Sequence, residues 1–469
     1  VRAERHIPVG EDQQAAAQQT TALQALAAQA VSAGDAPLTP EVVAKAKTCL
    51  LDYFSCAFEA ADLQWSRQAA DLAVPLERGA TLVGRARKTT AEDAAFANAV
   101  AGHGLVREDM HAGSIAHLGV VVWPTLLALA ETRALSGRAL LRGAVVGYEI
   151  GGRLGRLLVT PEVAGLFRPT GLVGPLAATG AGAVALGLDE ETTASAMALA
   201  ANCCGGLNEW PRGGADDMYF HPGFVARNAL RCLDLARLGA WGAPTILEGP
   251  GGLFRAYARM EMPGPVTLFP DARPEILNVF NKPVPACNFA QSPCQAALAA
   301  ARGLAEDSEE VAAIEVESCD AAIAYPGCAA TGPFRRALQA KMSIPFGVAA
   351  AVARGEIAEE NYRRLDDPEI RRLVAATSLR AVPEFNAAFP ERQGARVTLV
   401  LRDGRRLTEA FDDVVVADAE LVRRRFAAAA AAVNGAPAAE MLGGAVAALE
   451  SEDDAGRIAR LSAQRGEKG

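Results

Sequence analysis

Ala101–Glu131, AGHGLVREDMHAGSIAHLGVVVWPTLLALAE, is the stretch on which the reading of the chain turns. It holds His103, His111 and His117, three of the five histidines, with Arg107, Glu108 and Asp109 between them. An uncharged apolar run from Leu118 to Ala130 follows at once. That order predicts a polar turn between two buried helices, with ionisable groups held at helix ends. Helix dipoles and partial burial shift pKa values there, so acid–base chemistry is one use of such a turn. The same residue types also make structural ion pairs or an ordinary charged surface loop.

Working outward, helical patterns fill the first half. One helix is expected over Thr21 to Ala33. Another opens at Thr39-Pro40, an N-cap followed by Pro at the first helical position, and continues through CLLDYFSCAFEA with apolar residues three and four apart. ATLVGRARK reads as a short hairpin or loop. Thr89-Thr90-Ala91-Glu92 has capping-box spacing and opens a helix to about Gly104. Beyond the turn, helices are expected over Leu118–Thr132, Gly137–Val159 and Gly171–Leu188. Gly147, Gly151 and Gly155, four apart, allow a neighbouring helix to approach closely. Asp189-Glu190-Glu191 opens the next helix with acids at its positive end. Two more are expected over His221–Gly239 and Pro244–Met260.

The texture changes near Pro263. Ile314–Glu317 alternates like a half-buried strand, and Arg396–Leu401, Asp403-Gly404 and Arg405–Phe411 read as a hairpin. Helices are expected between these strands, at Gln291–Ala305 and Gly332–Arg354. From Asp418 the pattern is helical again. The expected fold class is therefore mainly α: a large all-helical domain from residues 21–265 and 418–469, a smaller α+β domain over 266–417, and a mobile polar extension over 1–20.

Composition narrows the function classes. A net charge of −9 and a pI near 5.3 argue against nucleic acid, which needs a basic face. The run Leu118–Ala130 falls short of the roughly 20 residues that span a bilayer, so no membrane segment is expected. The N-terminal stretch lacks a signal-peptide apolar core. Nine scattered cysteines with no CxxC pair read as reduced core residues of a cytoplasmic protein, and no Cys/His spacing suggests zinc. GAGAVALG at 180–187 lies in a helical pattern, not after a strand, and GPGG at 249–252 lacks a Gly-Lys-Ser/Thr ending, so neither reads as a nucleotide loop.

Several stretches, in their order and spacing, resemble the 2-methylcitrate dehydratase (MmgE/PrpD) family, which also includes cis-aconitate decarboxylase and iminodisuccinate epimerase. They are LLDYFSCAFEA, AEDAAFANAVAGHGL, SIAHLGVVVWPTLLALAE, FRPTGLVGPLAATGAGAVALGL, HPGFVARNAL, LEGPGGLFRAYA, NKPVPACNFAQ and AKMSIPFGVAAAV. The resemblance implies a helical domain with an α+β lid, a site between the two, no cofactor and a homodimer. It also places the site residues, and here the chain departs. Members carry an Asp-x-Asp-Asp-Thr run. This chain has Val106-Arg107-Glu108-Asp109-Met110, so Val106 and Met110 stand for the first Asp and the Thr. His117 matches the family His that precedes a Pro, with Leu118 in place of that Pro. Arg168 replaces the His of a His-Pro-Thr, Met218 replaces a Lys three residues before His221, and Lys282 is kept.

The family chemistry removes a proton or carboxylate beside a carboxylate, which needs a base, an acid and cations for enolate-like charge. His117 is the expected acid/base, because an unperturbed imidazole titrates near neutral pH. Lys282 and Arg168 are expected to hold anionic groups, Arg168 by bidentate grip. Asp109 is expected either to orient His111 or His117 or, with Glu108, to cap a helix. Tyr219 and His221 are further acid–base candidates. Val106, Met110 and Met218 make the pocket less polar, which suits a small organic acid with fewer carboxylates and more hydrocarbon than methylcitrate. The expected function is a cofactor-independent lyase of dehydratase type. An isomerase, epimerase or cyclase on the same scaffold is the alternative, and a non-catalytic binding member is a third reading.

Overall fold

The computed structural model describes residues 20–271, 273–304 and 310–463. The extension expected over 1–20 thus lies almost wholly outside the described residues. Helices dominate. The first group is α1 (Ala22–Asp35), α2 (Pro40–Glu59), α3 (Gln64–Leu72), α4 (Ala91–His103), α5 (Gly119–Arg133), α6 (Gly137–Leu158), α7 (Pro161–Leu166), α8 (Pro169–Ala185), α9 (Glu190–Ala201), α10 (Trp210–Gly213) and α11 (Asp217–Arg237). Their starts follow local chemistry. Thr39 caps α2 ahead of Pro40, and Asp189 caps α9 through the Thr192 N–H. α4 is capped by Thr90, which accepts from the Asp93 N–H, one residue later than the expected Thr89.

α5 lies at the centre of this layer. Every residue from Gly119 to Ala130 is buried, including Trp123 and the internal Pro124. A helix apolar all round is a core helix, which accounts for the long uncharged run. No described helix is long and apolar enough to cross a membrane. α6 and α8 pack together through small residues. A Cβ on Gly147 would stand 2.7 Å from Ala181 Cβ, and one on Gly180 would stand 2.4 Å from Ile150 Cδ1. The glycines are needed because the two helices touch backbone to side chain.

Pro244–Met260 is not the expected helix. It is turns followed by one short wide-helical segment, Phe254–Ala258, because Gly249-Pro250-Gly251-Gly252 interrupts the chain. A second group follows: α12 (Gln291–Ala301), α13 (Asp320–Ala324), α14 (Ala337–Met342), α15 (Ile344–Arg354), α16 (Pro368–Ala375) and α17 (Pro383–Ala388). The helix expected over Gly332–Arg354 is two, α14 and α15. Ser343 ends the first and caps the second ahead of Pro345, and Gly332 to Arg336 is not helical.

Two small ribbons join the helices: β1 (Ala80–Thr81) with β2 (Lys88–Thr89), and β3 (Met110–His111) with β4 (Val279–Phe280). β5 (Val311–Ser318), β6 (Thr377–Ala381), β7 (Ala395–Leu401) and β8 (Arg406–Phe411) form a mixed sheet in the order β6-β5-β7-β8. β5 runs parallel to β6 and antiparallel to β7. The β7–β8 hairpin turns at Asp403-Gly404, where Gly404 takes φ +89° and the Asp403 carboxylate accepts from the Arg405 N–H. α12 packs across β7 and β8. The chain closes with α18 (Ala419–Asn434), α19 (Ala436–Ala447) and α20 (Gly456–Leu461). α18 returns to α2, with Phe426 6.5 Å from Phe58 ring to ring, and α20 returns to α5.

Candidate functional site

Two parts of the chain converge on one small cavity. Val106, Met110, Ile115, His117, Arg168, Thr170, Trp210 and Met218 come from the first helical group, and Cys287, Asn288, Phe289, Tyr325 and Met342 from the later segment. The cavity measures about 40 Å³, room for one or two water molecules. Its walls are thioethers and aromatic rings, with His117 and Arg168 supplying imidazole and guanidinium.

The segment between α4 and α5 sets the polar centre. Helix α4 ends at His103, and Val106 takes φ +58°, a conformation rarely adopted by a β-branched residue. The chain reverses there and brings Glu108 under both His103 and His117. Glu108 Oε1 lies 2.5 Å from His103 Nδ1 and 2.9 Å from His117 Nδ1. Arg168 Nη2 lies 2.5 Å from His103 Nε2, and Nη1 donates to the Met218 carbonyl at 3.1 Å. A guanidinium only donates, so His103 Nε2 accepts and its proton sits on Nδ1. His103 is therefore a neutral imidazole. Burial, above all, drives its pKa down to about 3, and Arg168 adds to that against the pull of Glu108.

His117 has the same tautomer for another reason. Its Nδ1 faces two acceptors, Glu108 Oε1 and the Asp109 carbonyl at 3.1 Å, so Nδ1 carries the proton. Nε2 is left as a lone pair on a residue that lines the cavity. Burial lowers the His117 pKa although Glu108 opposes it, so the ring is unprotonated at neutral pH. Burial alone would raise the Glu108 carboxyl, but the two imidazoles facing it hold it well below the ordinary carboxylate range. Glu108 Oε2 is buried with no protein partner.

The two acids of the turn thus have different jobs. Asp109, not Glu108, caps α5: its Oδ1 accepts from the Gly119 N–H at 3.1 Å and its Oδ2 from the Tyr148 hydroxyl. Burial pushes its pKa up to about 7 despite these donors. Asp109 orients His117 through its carbonyl oxygen and leaves His111 alone. His111 lies off the cavity, because Met110 and His111 alternate along β3. Met110 faces the cavity, while His111 binds Ser114 Oγ at 2.8 Å and Glu275 Oε2 at 2.7 Å. This Ser–His–Glu row is sealed, since a Cβ on Gly155 would stand 2.2 Å from Ser114 Cβ.

Lys282 is fully buried and does not line the cavity. Its ammonium donates to the Val106 carbonyl at 2.5 Å, clamping the reversed turn, and burial lowers its pKa to about 8. Arg168 does line the cavity, over the Trp210 ring at 5.6 Å. Tyr219 stacks on Trp65 at 3.7 Å, with its buried hydroxyl unpartnered. His221 packs beside Gly206 outside the cavity lining, and burial with Arg168 lowers its pKa to about 3.

Among the described residues, His103, Glu108 and His117 are the group whose ligand atoms lie close enough, within 4.8 Å, to hold a metal ion. Sequence spacing gave no sign of it. The set fits a cation poorly: a metal on His103 Nδ1 would leave that ring's proton on Nε2, facing the Arg168 guanidinium, which also only donates, and the Lys282 ammonium already acts on Glu108.

Comparison with known proteins places the chain in a family. Residues 24–264 match the MmgE/PrpD N-terminal domain and residues 284–441 the MmgE/PrpD C-terminal domain. The chain is 30% identical over 224 residues to the cis-aconitate decarboxylase-like protein oryM of Aspergillus oryzae, covering 46% of each chain. It is 27% identical over 229 residues to a cis-aconitate decarboxylase of Aspergillus terreus, covering 47% of this chain and 46% of that one. The matched stretch spans about half the length of these curated relatives. With both domain matches in sequence order and together taking in most of the residues, the chain belongs to the MmgE/PrpD family.

Proposed function

We propose that the protein is a lyase that needs no cofactor and acts on a small, relatively apolar organic acid, removing a proton beside the carboxylate and expelling a leaving group. The observation that carries this reading is His117: Nδ1 is fixed by Glu108 and the Asp109 carbonyl, which leaves the Nε2 lone pair free on a ring that lines the cavity. A base needs this arrangement, with its proton site occupied and its basic site free.

Arg168 is the cation placed to grip the substrate carboxylate. Lys282 supports it from behind the wall, fixing the Val106 turn and adding positive potential for enolate charge. Met110, Met218, Met342, Trp210 and Phe289 favour hydrocarbon over further carboxylates. This separates the chain from a tricarboxylate enzyme, although relatives carry the name cis-aconitate decarboxylase. A cavity of about 40 Å³ does not admit a four-carbon acid, so the segment bearing Cys287, Tyr325 and Met342 acts as a lid that opens for substrate.

The test is incubation in D2O with 3-hydroxybutyrate, malate and citrate, read by NMR for deuterium uptake and water loss. The proposal expects both with 3-hydroxybutyrate and neither with citrate. Turnover of citrate with 3-hydroxybutyrate untouched overturns the apolar-substrate reading. Deuterium uptake without water loss, under every condition, moves the assignment to an isomerase.

A further inference from the structure

An elimination needs an acid as well as a base, and the imidazoles of the centre are both neutral. The later segment supplies a candidate whose sequence surroundings read as core packing. Cys287 is the one cysteine lining the cavity among the described residues. It precedes a short 3-10 turn, Asn288–Ala290, that runs straight into α12, so its side chain lies at the head of a helical run where N–H groups converge. Cys328 Sγ stands 3.5 Å from its Sγ, close enough to share a proton.

The loop that presents Cys287 is rigidly tied. Gln291 donates to the carbonyls of Val284, Ala286 and Cys287 at 3.0, 3.1 and 3.0 Å and accepts from the Val284 N–H at 2.9 Å. The Cys287 N–H donates to the Lys341 carbonyl at 2.8 Å. All four hydrogen bonds made by this one buried side chain fix the backbone around the thiol.

The surroundings distinguish this thiol from the rest. Burial pushes the thiols of Cys49, Cys56, Cys204 and Cys294 far up. At Cys287 the Cys328 thiol, the N–H groups of Phe289 and Ala290 and the Lys282 ammonium outweigh burial and hold it below the ordinary thiol range. The ionisable groups around it are Lys282, Lys341, Tyr325, Tyr362, Cys294 and Cys328; the tyrosines and the other thiols are neutral near pH 7.

We propose that the Cys287 thiol is the cavity's second proton-transfer group, protonating the departing hydroxyl in the elimination that His117 begins. The step rests on the lyase reading above. His117 Nε2 takes the proton from the carbon beside the carboxylate, and that C–H electron pair becomes the second bond of the alkene. The C–O bond breaks, its electron pair stays on oxygen, and the oxygen takes the Cys287 proton to leave as water. The enzyme is left as imidazolium and thiolate, and proton return from one to the other through water restores it. A thiol held below the ordinary thiol range gives up its proton more readily, which suits this task.

The experiment uses the full chain and two substitutions, Cys287→Ser and His117→Ala, with butyrate and 3-hydroxybutyrate as probes in D2O. Butyrate reports proton removal alone, because it has no leaving group. Wild type is expected to deuterate butyrate beside its carboxylate and to convert 3-hydroxybutyrate to crotonate. Cys287→Ser is expected to keep butyrate exchange within about threefold while crotonate formation falls by roughly 100-fold or more. His117→Ala is expected to lose both. A substrate-free readout accompanies these: the thiolate ultraviolet absorbance lost on Cys287→Ser titrates below the ordinary thiol pKa of 9.0. Undiminished crotonate formation in Cys287→Ser, or a thiol that ionises only above that value, overturns the proposal. Wild type that exchanges neither probe refutes the lyase reading, and the acid role falls with it.

Discussion

His103→Gln isolates the electrostatics on which the site depends. In the folded chain His103 is a neutral ring with Nδ1–H on Glu108 and Nε2 against Arg168. In the unfolded chain it titrates near 6.5, and in the folded one near 3. The unfolded state therefore takes up the proton first as pH falls. Stability from this group is complete above about pH 6.5 and drains away toward the folded pKa. Each pKa unit is worth about 1.4 kcal/mol, so the loss is about 3 kcal/mol by about pH 4.5 and roughly 5 kcal/mol in full. A glutamine amide reaches the same two partners, donating to Glu108 and accepting from Arg168, but does not titrate. His103→Gln is expected to cost no more than about 1–2 kcal/mol at neutral pH. The assay is urea unfolding followed by tryptophan fluorescence at neutral pH and at about pH 4.5. His111, His117 and His221 titrate in both proteins, so their contribution cancels. The wild type is expected to lose about 3 kcal/mol more than the variant between the two conditions. Parallel losses would refute the reasoning, because they would mean that His103 is not held neutral.

Other expectations follow from single features. Val106→Asn removes a β-branched residue from φ +58° and is expected to raise the urea midpoint, by about 1 kcal/mol of stability. Val106→Ile, equally branched, should show no gain. Gln291→Leu leaves a buried N–H and several carbonyls unpaired in the Cys287 loop; unfolding should report a loss of at least about 2 kcal/mol. Gly147→Val forces a side chain against Ala181 and is expected to destabilise the α6–α8 contact by about 1–3 kcal/mol in the same assay.

Much of the helical layer is legible in the sequence because its signals are local. Thr39-Pro40 and Asp189 mark helix starts, and the spaced glycines of α6 mark a close contact that Gly147 and Ala181 make. The β7–β8 hairpin is equally local, set by Asp403-Gly404. Pro244–Met260 misleads because apolar spacing suggests a helix while Gly249–Gly252 prevents one. β6 escapes notice because it pairs in parallel with β5, some sixty residues earlier, and no residue of it is fully buried.

The site is half legible. Val106, Met110, His117, Arg168 and Met218 stand out by their place in a family pattern, and all five line the cavity. His103 carries no local signal, because only the turn reversal at Val106 brings its ring to Glu108. Cys287, Tyr325 and Met342 come from segments far apart in sequence, and only tertiary packing delivers them to the same space. His111 stood in the right stretch but on the wrong side of a two-residue strand, where one step changes the face.

The most direct test of the central claim is deuterium uptake beside the carboxylate of butyrate in D2O by wild type and His117→Ala, followed by NMR. The account predicts uptake by wild type that falls by roughly 100-fold or more in the variant, while urea unfolding shows the variant still folded. Undiminished uptake by folded His117→Ala would contradict it, because the lone pair on His117 Nε2 would then not be the base.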